Sequence, residues 1–211
     1  MREYLTELIG TFFLVLTIGL TVLGGTPFAP LAIGASLMIM VYMGGHVSGA
    51  LYNPAVTLAV AMRGKLPMAQ VVPYWISQIV GALLAAVVVH SVMGKTFAPA
   101  PGANVSAMNA LLVEFLYTFA LSLVVLNAAT AKKTSGNSFY GLAIGFTVMV
   151  AAFAGGGISG GAFNPAVGIG PTLIDVFMGG GSMSHLWLYI VGPLAGGAVA
   201  ALVFKVQEQE A

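Results

Sequence analysis

Apolar residues run along this chain in long stretches, broken by short polar or glycine-rich intervals. Six of them lie at roughly 4–24, 28–47, 68–93, 106–130, 139–158 and 184–206. A helix crosses a bilayer with about 20 mostly apolar residues, so each is long enough to span. Two further apolar stretches, about 54–63 and 165–177, are too short. Runs of about 10–14 residues are more naturally re-entrant segments. The pattern therefore predicts an all-α membrane protein of six transmembrane helices and two re-entrant half-helices.

The basic residues orient these spans. Arg2 precedes the first, Arg63 and Lys65 lie between the second and third, Lys132 and Lys133 between the fourth and fifth, and Lys205 closes the sixth. With six spans all of these fall on one side and only Lys95 on the other. The positive-inside rule then puts both termini in the cytoplasm, and the agreement supports the count of six. No cleavable signal peptide is evident, and a cell (inner) membrane is the expected location.

The chain also repeats itself. Ser48–Val56 (SGALYNPAV) returns as Ser159–Val167 (SGGAFNPAV), a shift of 111 residues with six identities in nine positions. The same shift carries Leu31–Gly34 onto Leu142–Gly145 and Gly44-Gly45 onto Gly155-Gly156. Glu7/Thr11 and Glu114/Thr118 form a Glu-x-x-x-Thr near the start of each half. Glycine richness explains paired glycines but not Asn-Pro-Ala-Val twice. We read 1–211 as a single membrane domain with an internal repeat, 1–103 and 104–211. Three spans per half is an odd number, so the second half inserts upside down relative to the first. The two Asn-Pro-Ala segments then approach from opposite faces and meet near mid-membrane.

Their chemistry is local. Asparagine is a strong N-cap, and proline at the first helical position has a pre-set ring angle and loses no needed donor. Asn53-Pro54-Ala55 and Asn164-Pro165-Ala166 thus each start a half-helix. The glycine-rich strings before them, Gly44–Ala50 and Gly155–Ala162, suit an extended backbone. Non-helical backbone at that depth must line a wet cavity or be buried in protein. The carbonyls of Gly49, Ala50, Leu51, Gly160, Gly161 and Ala162 are therefore expected to face a pore. Each half-helix presents about half a positive charge at its N-terminus. Two such ends repel cations, including a hydrated proton, while Asn53 and Asn164 offer amide donors to a neutral solute.

Composition narrows the class further. Of 211 residues 59% are hydrophobic and 6% charged, against about 25% charged in a soluble domain. A soluble fold would lack charges to cover its surface, whereas a bilayer asks for none. The 28 glycines suit close helix packing. Cysteine is absent and only three histidines are present, which excludes disulfides and argues against a metal site or other cofactor. A net charge of +1 gives no argument for nucleic acid. No nucleophile–base set or phosphate-binding loop is visible, so catalytic residues are not expected.

Both Asn-Pro-Ala boxes, Gly45–Gly49, the Glu-x-x-x-Thr pairs and Val191–Gly197 together resemble the aquaporin (major intrinsic protein) family over nearly the whole chain. The resemblance implies an hourglass fold, a homotetramer with one pore per subunit, and passive flux of water and small neutral solutes. It also implies a second filter at Ile33, Ala152, Gly161 and Val167. Water-selective members usually place an aromatic, a histidine and an arginine there, and this chain has none of them. The arginine position, three residues after Asn164, is Val167, as in some plant tonoplast intrinsic proteins with Asn-Pro-Ala-Val at this box. Typical glycerol facilitators carry arginine and aspartate where this chain has Val167 and Gly168. A wider, more apolar constriction follows, open to urea, ammonia, hydrogen peroxide and glycerol, though apolar walls also impede water by dewetting.

Other polar residues have plainer readings. Glu7 and Glu114 are intramembrane carboxylates and candidates for proton relay. The family resemblance favours a supporting role, accepting amide bonds from the re-entrant loops. His46 is expected at the cytoplasmic mouth, lining the path or serving the fold. His90, His185, Trp75 and Trp187 read as interfacial, Asp175 as solvated, beyond or at the outer end of the second half-helix, and Gln207–Ala211 as a short solvated end. Gly141/Gly145 and Gly192/Gly196 are small-x-x-x-small packing sites. Two other functions compete: a coupled secondary transporter, which shares inverted repeats and broken helices but needs ion-coordinating groups, and a junctional membrane protein with little flux.

Overall fold

The computed structural model describes residues 1–208. Its helices are α1 (Arg2–Leu23), α2 (Ala29–Ser48), α3 (Pro54–Met62), α4 (Val71–Met93), α5 (Ala107–Val125), α6 (Tyr140–Ser159), α7 (Pro165–Ile174) and α8 (Leu188–Glu208). Among the described residues, six helices are long and apolar enough to cross a membrane. The short α3 and α7 stand where the short apolar stretches were. A 3-10 turn, Met68–Gln70, leads into α4, and π turns extend α5 through Thr130 and α7 through Gly179.

Small residues decide the packing. α1 lies along α4 and α5 along α8, α2 crosses α6, and each half-helix packs against the opposite half, α3 on α8 and α7 on α4. At the α2–α6 crossing Gly34 and Gly145 face each other: a Cβ on either would run into the other's carbonyl and into Met149 or Met38. In α8, a Cβ on Gly196 would meet the Phe115 carbonyl of α5, and one on Gly192 would crowd Leu111 and Glu114. Close approach of this kind exchanges side-chain volume for backbone van der Waals contact, the interaction left to helices when lipid removes the hydrophobic drive. The outward faces are apolar. Leu5, Val72, Val92, Leu112, Val150 and Leu202 are all exposed, as a lipid-facing surface requires.

Four expectations change. The strings Gly44–Ala50 and Gly155–Ala162 are not extended throughout: α2 and α6 stay helical to Ser48 and Ser159. Gly44 is needed inside the helix, because its missing side chain makes room for the Tyr52 ring. Only then does Gly49, at φ 86°, or Gly160, at φ 93°, end the helix in the left-handed region. Trp75 is half-buried, and its indole N–H donates to the Pro54 carbonyl at 2.9 Å, so it anchors a half-helix instead of standing only at an interface. Asp175 is also half-buried and accepts from the Thr96 hydroxyl at 2.5 Å. Within the expected solvated tail, α8 continues to Glu208, which pairs with Arg63 at 2.6 Å; residues 209–211 lie outside the described residues.

Candidate functional site

The centre of the molecule is made by the two short helices meeting end to end. Asn53 and Asn164 are extended, at φ −154° and −160°, and each side-chain oxygen accepts from the amide two residues on, Ala55 and Ala166, at 2.9 Å. Capping of this sort is worth about 1 kcal/mol per helix. The amide nitrogens do something further. Asn53 Nδ2 donates to the Phe163 carbonyl at 2.8 Å, and Asn164 Nδ2 donates to the Tyr52 carbonyl at 2.9 Å. The two segments are thus clasped reciprocally, and each NH2 keeps a second hydrogen uncommitted in these bonds.

Behind the clasp lie the two glutamates, both fully buried. Glu7 accepts from the Leu51 amide at 2.9 Å, the Tyr52 amide at 2.6 Å and the Ser48 hydroxyl at 2.6 Å. Glu114 does the same for Ala162 at 3.0 Å, Phe163 at 2.6 Å and Ser159 at 2.7 Å. Ser48 and Ser159 in turn hold the Ala50 and Gly161 amides. Every amide gathered on the glutamate side turns its peptide over. Among the described residues, no donor reaches the carbonyls of Gly49, Ala50, Leu51, Gly160, Gly161 or Ala162. The geometry costs strain: Ala50, Tyr52 and Phe163 sit at φ 48–52°, where a left-handed residue costs roughly 1–2 kcal/mol.

Sequence reasoning did not reach the second tier of support. Gln78 donates to Glu7 at 2.8 Å and to Thr57 at 2.9 Å. Tyr74 and Tyr189 donate to the Ser48 and Ser159 carbonyls at 3.0 and 2.6 Å. Gln78 did carry a signal, as a lone amide in an apolar span; the tyrosines carried none.

A narrow passage runs past this clasp. It is lined by Asn53, Asn164 and the four expected filter positions Ile33, Ala152, Gly161 and Val167, with no charged side chain. Its volume is about 30 Å³, room for roughly two waters at about 10–15 Å³ each on that measure. On the side of the termini it meets an open vestibule of about 800 Å³, lined by His46, Lys65 and Lys132 among others. His46 is exposed there, His185 is exposed, and His90 is half-buried in the last turn of α4. Among the described residues, no group of His, Asp and Glu is placed to hold a metal ion.

Residues 1–204 match the family described as Major intrinsic protein. The chain belongs to the major intrinsic protein family. It is 37% identical over 216 residues to Aquaporin NIP1-1 of Oryza sativa subsp. japonica, covering 98% of this chain and 74% of that one. It is 35% identical over 223 residues to Glycerol uptake facilitator protein-like 6 of Lactiplantibacillus plantarum, covering both chains completely. Its fold matches the X-ray structure of the aquaglyceroporin from Plasmodium falciparum with a TM-score of 0.86 at 20% identity, over 96% of this chain and 94% of that one. This major intrinsic protein is therefore an integral multi-pass membrane channel for water or small neutral solutes, and not an enzyme.

Proposed function

We propose that this channel passes urea, ammonia, hydrogen peroxide and glycerol as well as water, through a filter made by Ile33, Ala152, Gly161 and Val167. The observation that carries the reading is Val167. It is 3% exposed and lines the passage in the first turn of α7, where an arginine would add a fixed charge and donors. Without one, selection rests on the Asn53–Asn164 pair, the two positive helix ends and the free loop carbonyls. A neutral solute exchanges hydrogen bonds with these groups, while a cation gains nothing from the helix ends. The Asn-Pro-Ala-Val of the second box resembles that of some plant tonoplast intrinsic proteins, which supports the same reading.

The glutamates favour a channel over a coupled transporter. Glu7 and Glu114 spend both oxygens on loop amides, so neither is available to carry a coupling ion without releasing the loop. On this proposal 1–103 and 104–211 are inverted repeats, the termini and the vestibule face the cytoplasm of a cell membrane, and four copies assemble with a pore each. The test is stopped-flow light scattering on proteoliposomes with water, urea and glycerol. The parent passes urea or glycerol, and Val167→Arg loses them while keeping water. A parent that passes water alone overturns the filter reading.

A further inference from the structure

The repeat makes a second ring. Shifting the filter positions by 111 residues turns Ile33, Ala152, Gly161 and Val167 into Ile144, Val41, Ala50 and Val56. All four are buried, between 2% and 6% exposed. They lie on the terminus side of the Asn pair, as far along their half as the filter lies along the other. Three residues there, Leu51, Val125 and Ile144, line both the narrow passage and the vestibule, and so stand where the wide cavity of about 800 Å³ gives way to the passage of about 30 Å³.

This ring is the bulkier of the two. Val41 stands where the filter has Ala152, Ala50 where it has Gly161, and Leu51 where the passage has Ala162. Each of these exchanges adds carbon on the terminus side, and only Val125, one carbon smaller than Ile18 at the same distance from its glutamate, goes the other way among the neck residues. Among the residues at the pinch none carries a hydrogen-bonding side chain. Leu51, Val125 and Ile144 are all aliphatic, as is Val41 on their vestibule side, and a solute crossing them has only the loop carbonyls to replace its lost water.

We infer that the aliphatic neck of Leu51, Val125 and Ile144, with Val41 on its vestibule side, is a second barrier in series with the filter at Val167, and so limits the size and polarity of the solutes that pass. The inference rests on the channel reading above and adds where selection occurs. A narrow aliphatic neck passes water poorly, because water must shed hydrogen bonds that the wall does not replace. It favours small solutes with few strong hydrogen bonds to water and rejects those too broad for it, whatever the opposite filter admits.

The test makes the two rings alike. Val41→Ala and Leu51→Ala each copy the residue found in the other half, and Val125→Thr adds a hydroxyl at nearly constant volume. In proteoliposomes with channel content measured by quantitative blotting, Val41→Ala and Leu51→Ala raise glycerol and urea flux per channel several-fold. Val125→Thr raises water flux while leaving glycerol flux near the parent level. The mirror change Ala152→Val, on the filter side, has the smaller effect. Val41→Ala removes little volume, so it reports even if Leu51→Ala fails to fold. A conducting parent whose Val41→Ala and Val125→Thr variants are folded and unchanged sinks the neck alone. A parent that passes nothing, with variants equally silent, sinks the channel reading instead.

Discussion

Gln78 donates to Glu7 at 2.8 Å, and among the described residues no side chain other than Ser159 donates to Glu114. The first loop is thus supported by one more buried hydrogen bond than the second. Opposite Glu114, α8 offers Gly192, whose missing side chain only makes room for the glutamate's Cβ. Gln78→Leu is expected to destabilise the first loop by about 2 kcal/mol, the usual size for a hydrogen bond to a charged group. It also strips the Thr57 hydroxyl of its donor. Thermal unfolding in detergent reads the loss, and an unchanged midpoint means that the amide bond adds nothing net.

The Asn164 clasp gives a test of ion exclusion. Asn164→Asp replaces the donor to the Tyr52 carbonyl with a carboxylate between two positive helix ends. Capping survives, since aspartate caps as well as asparagine. The central barrier to cations falls, and sodium or proton leak appears in vesicles loaded with a pH dye. A tight variant would mean that the helix ends alone, or another part of the passage, exclude ions.

Gly145→Leu addresses the crossing of α2 and α6. The added side chain points into the Gly34 carbonyl and Met38, with backbone as the obstacle. Overpacking costs about 1–3 kcal/mol where neighbours can shift, and backbone cannot shift without parting the helices. The expected outcome is loss of monodisperse protein on size exclusion. Normal yield would show that the crossing has slack.

Thr96→Val removes the hydroxyl that donates to Asp175 at 2.5 Å. That bond ties the connection after α4 to the end of α7. Hydrogen exchange of residues 175–181 is expected to speed up about tenfold, which is about 1.4 kcal/mol of local opening. Parent-like protection there would assign the local order to backbone bonds such as Gly181 to Asp175.

Where the determining physics was local, the sequence could be read. Asn53 and Pro54 announce a helix start by themselves, and the span count followed from apolar length. Gly44 could not be read in the same way. Glycine's poor helix propensity pointed to a loop, while the Tyr52 ring that requires a glycine in that helix is brought there by the fold. Trp75 looked interfacial because an indole in an apolar span usually is; its acceptor, the Pro54 carbonyl, is supplied by a segment 21 positions away. Gln78, Tyr74 and Tyr189 belong to the same case: their partners are loop atoms that exist only after the re-entrant segments have folded inward.

The repeat gives the lining a palindromic order. Ile33 and Ile144, Leu37 and Val148, Asn53 and Asn164, and Val56 and Val167 all line the passage, each pair one repeat apart. A molecule coming from either bath meets the same kinds of group in the same succession up to the asparagines and then in reverse. Such a wall has little built-in sense of forward beyond the larger Val41, Ala50 and Leu51 on the terminus side. Rectification, if osmotic gradients of opposite sign ever reveal any, has to originate in that difference or at the ends, where one mouth carries Lys65 and Lys132 and the other does not.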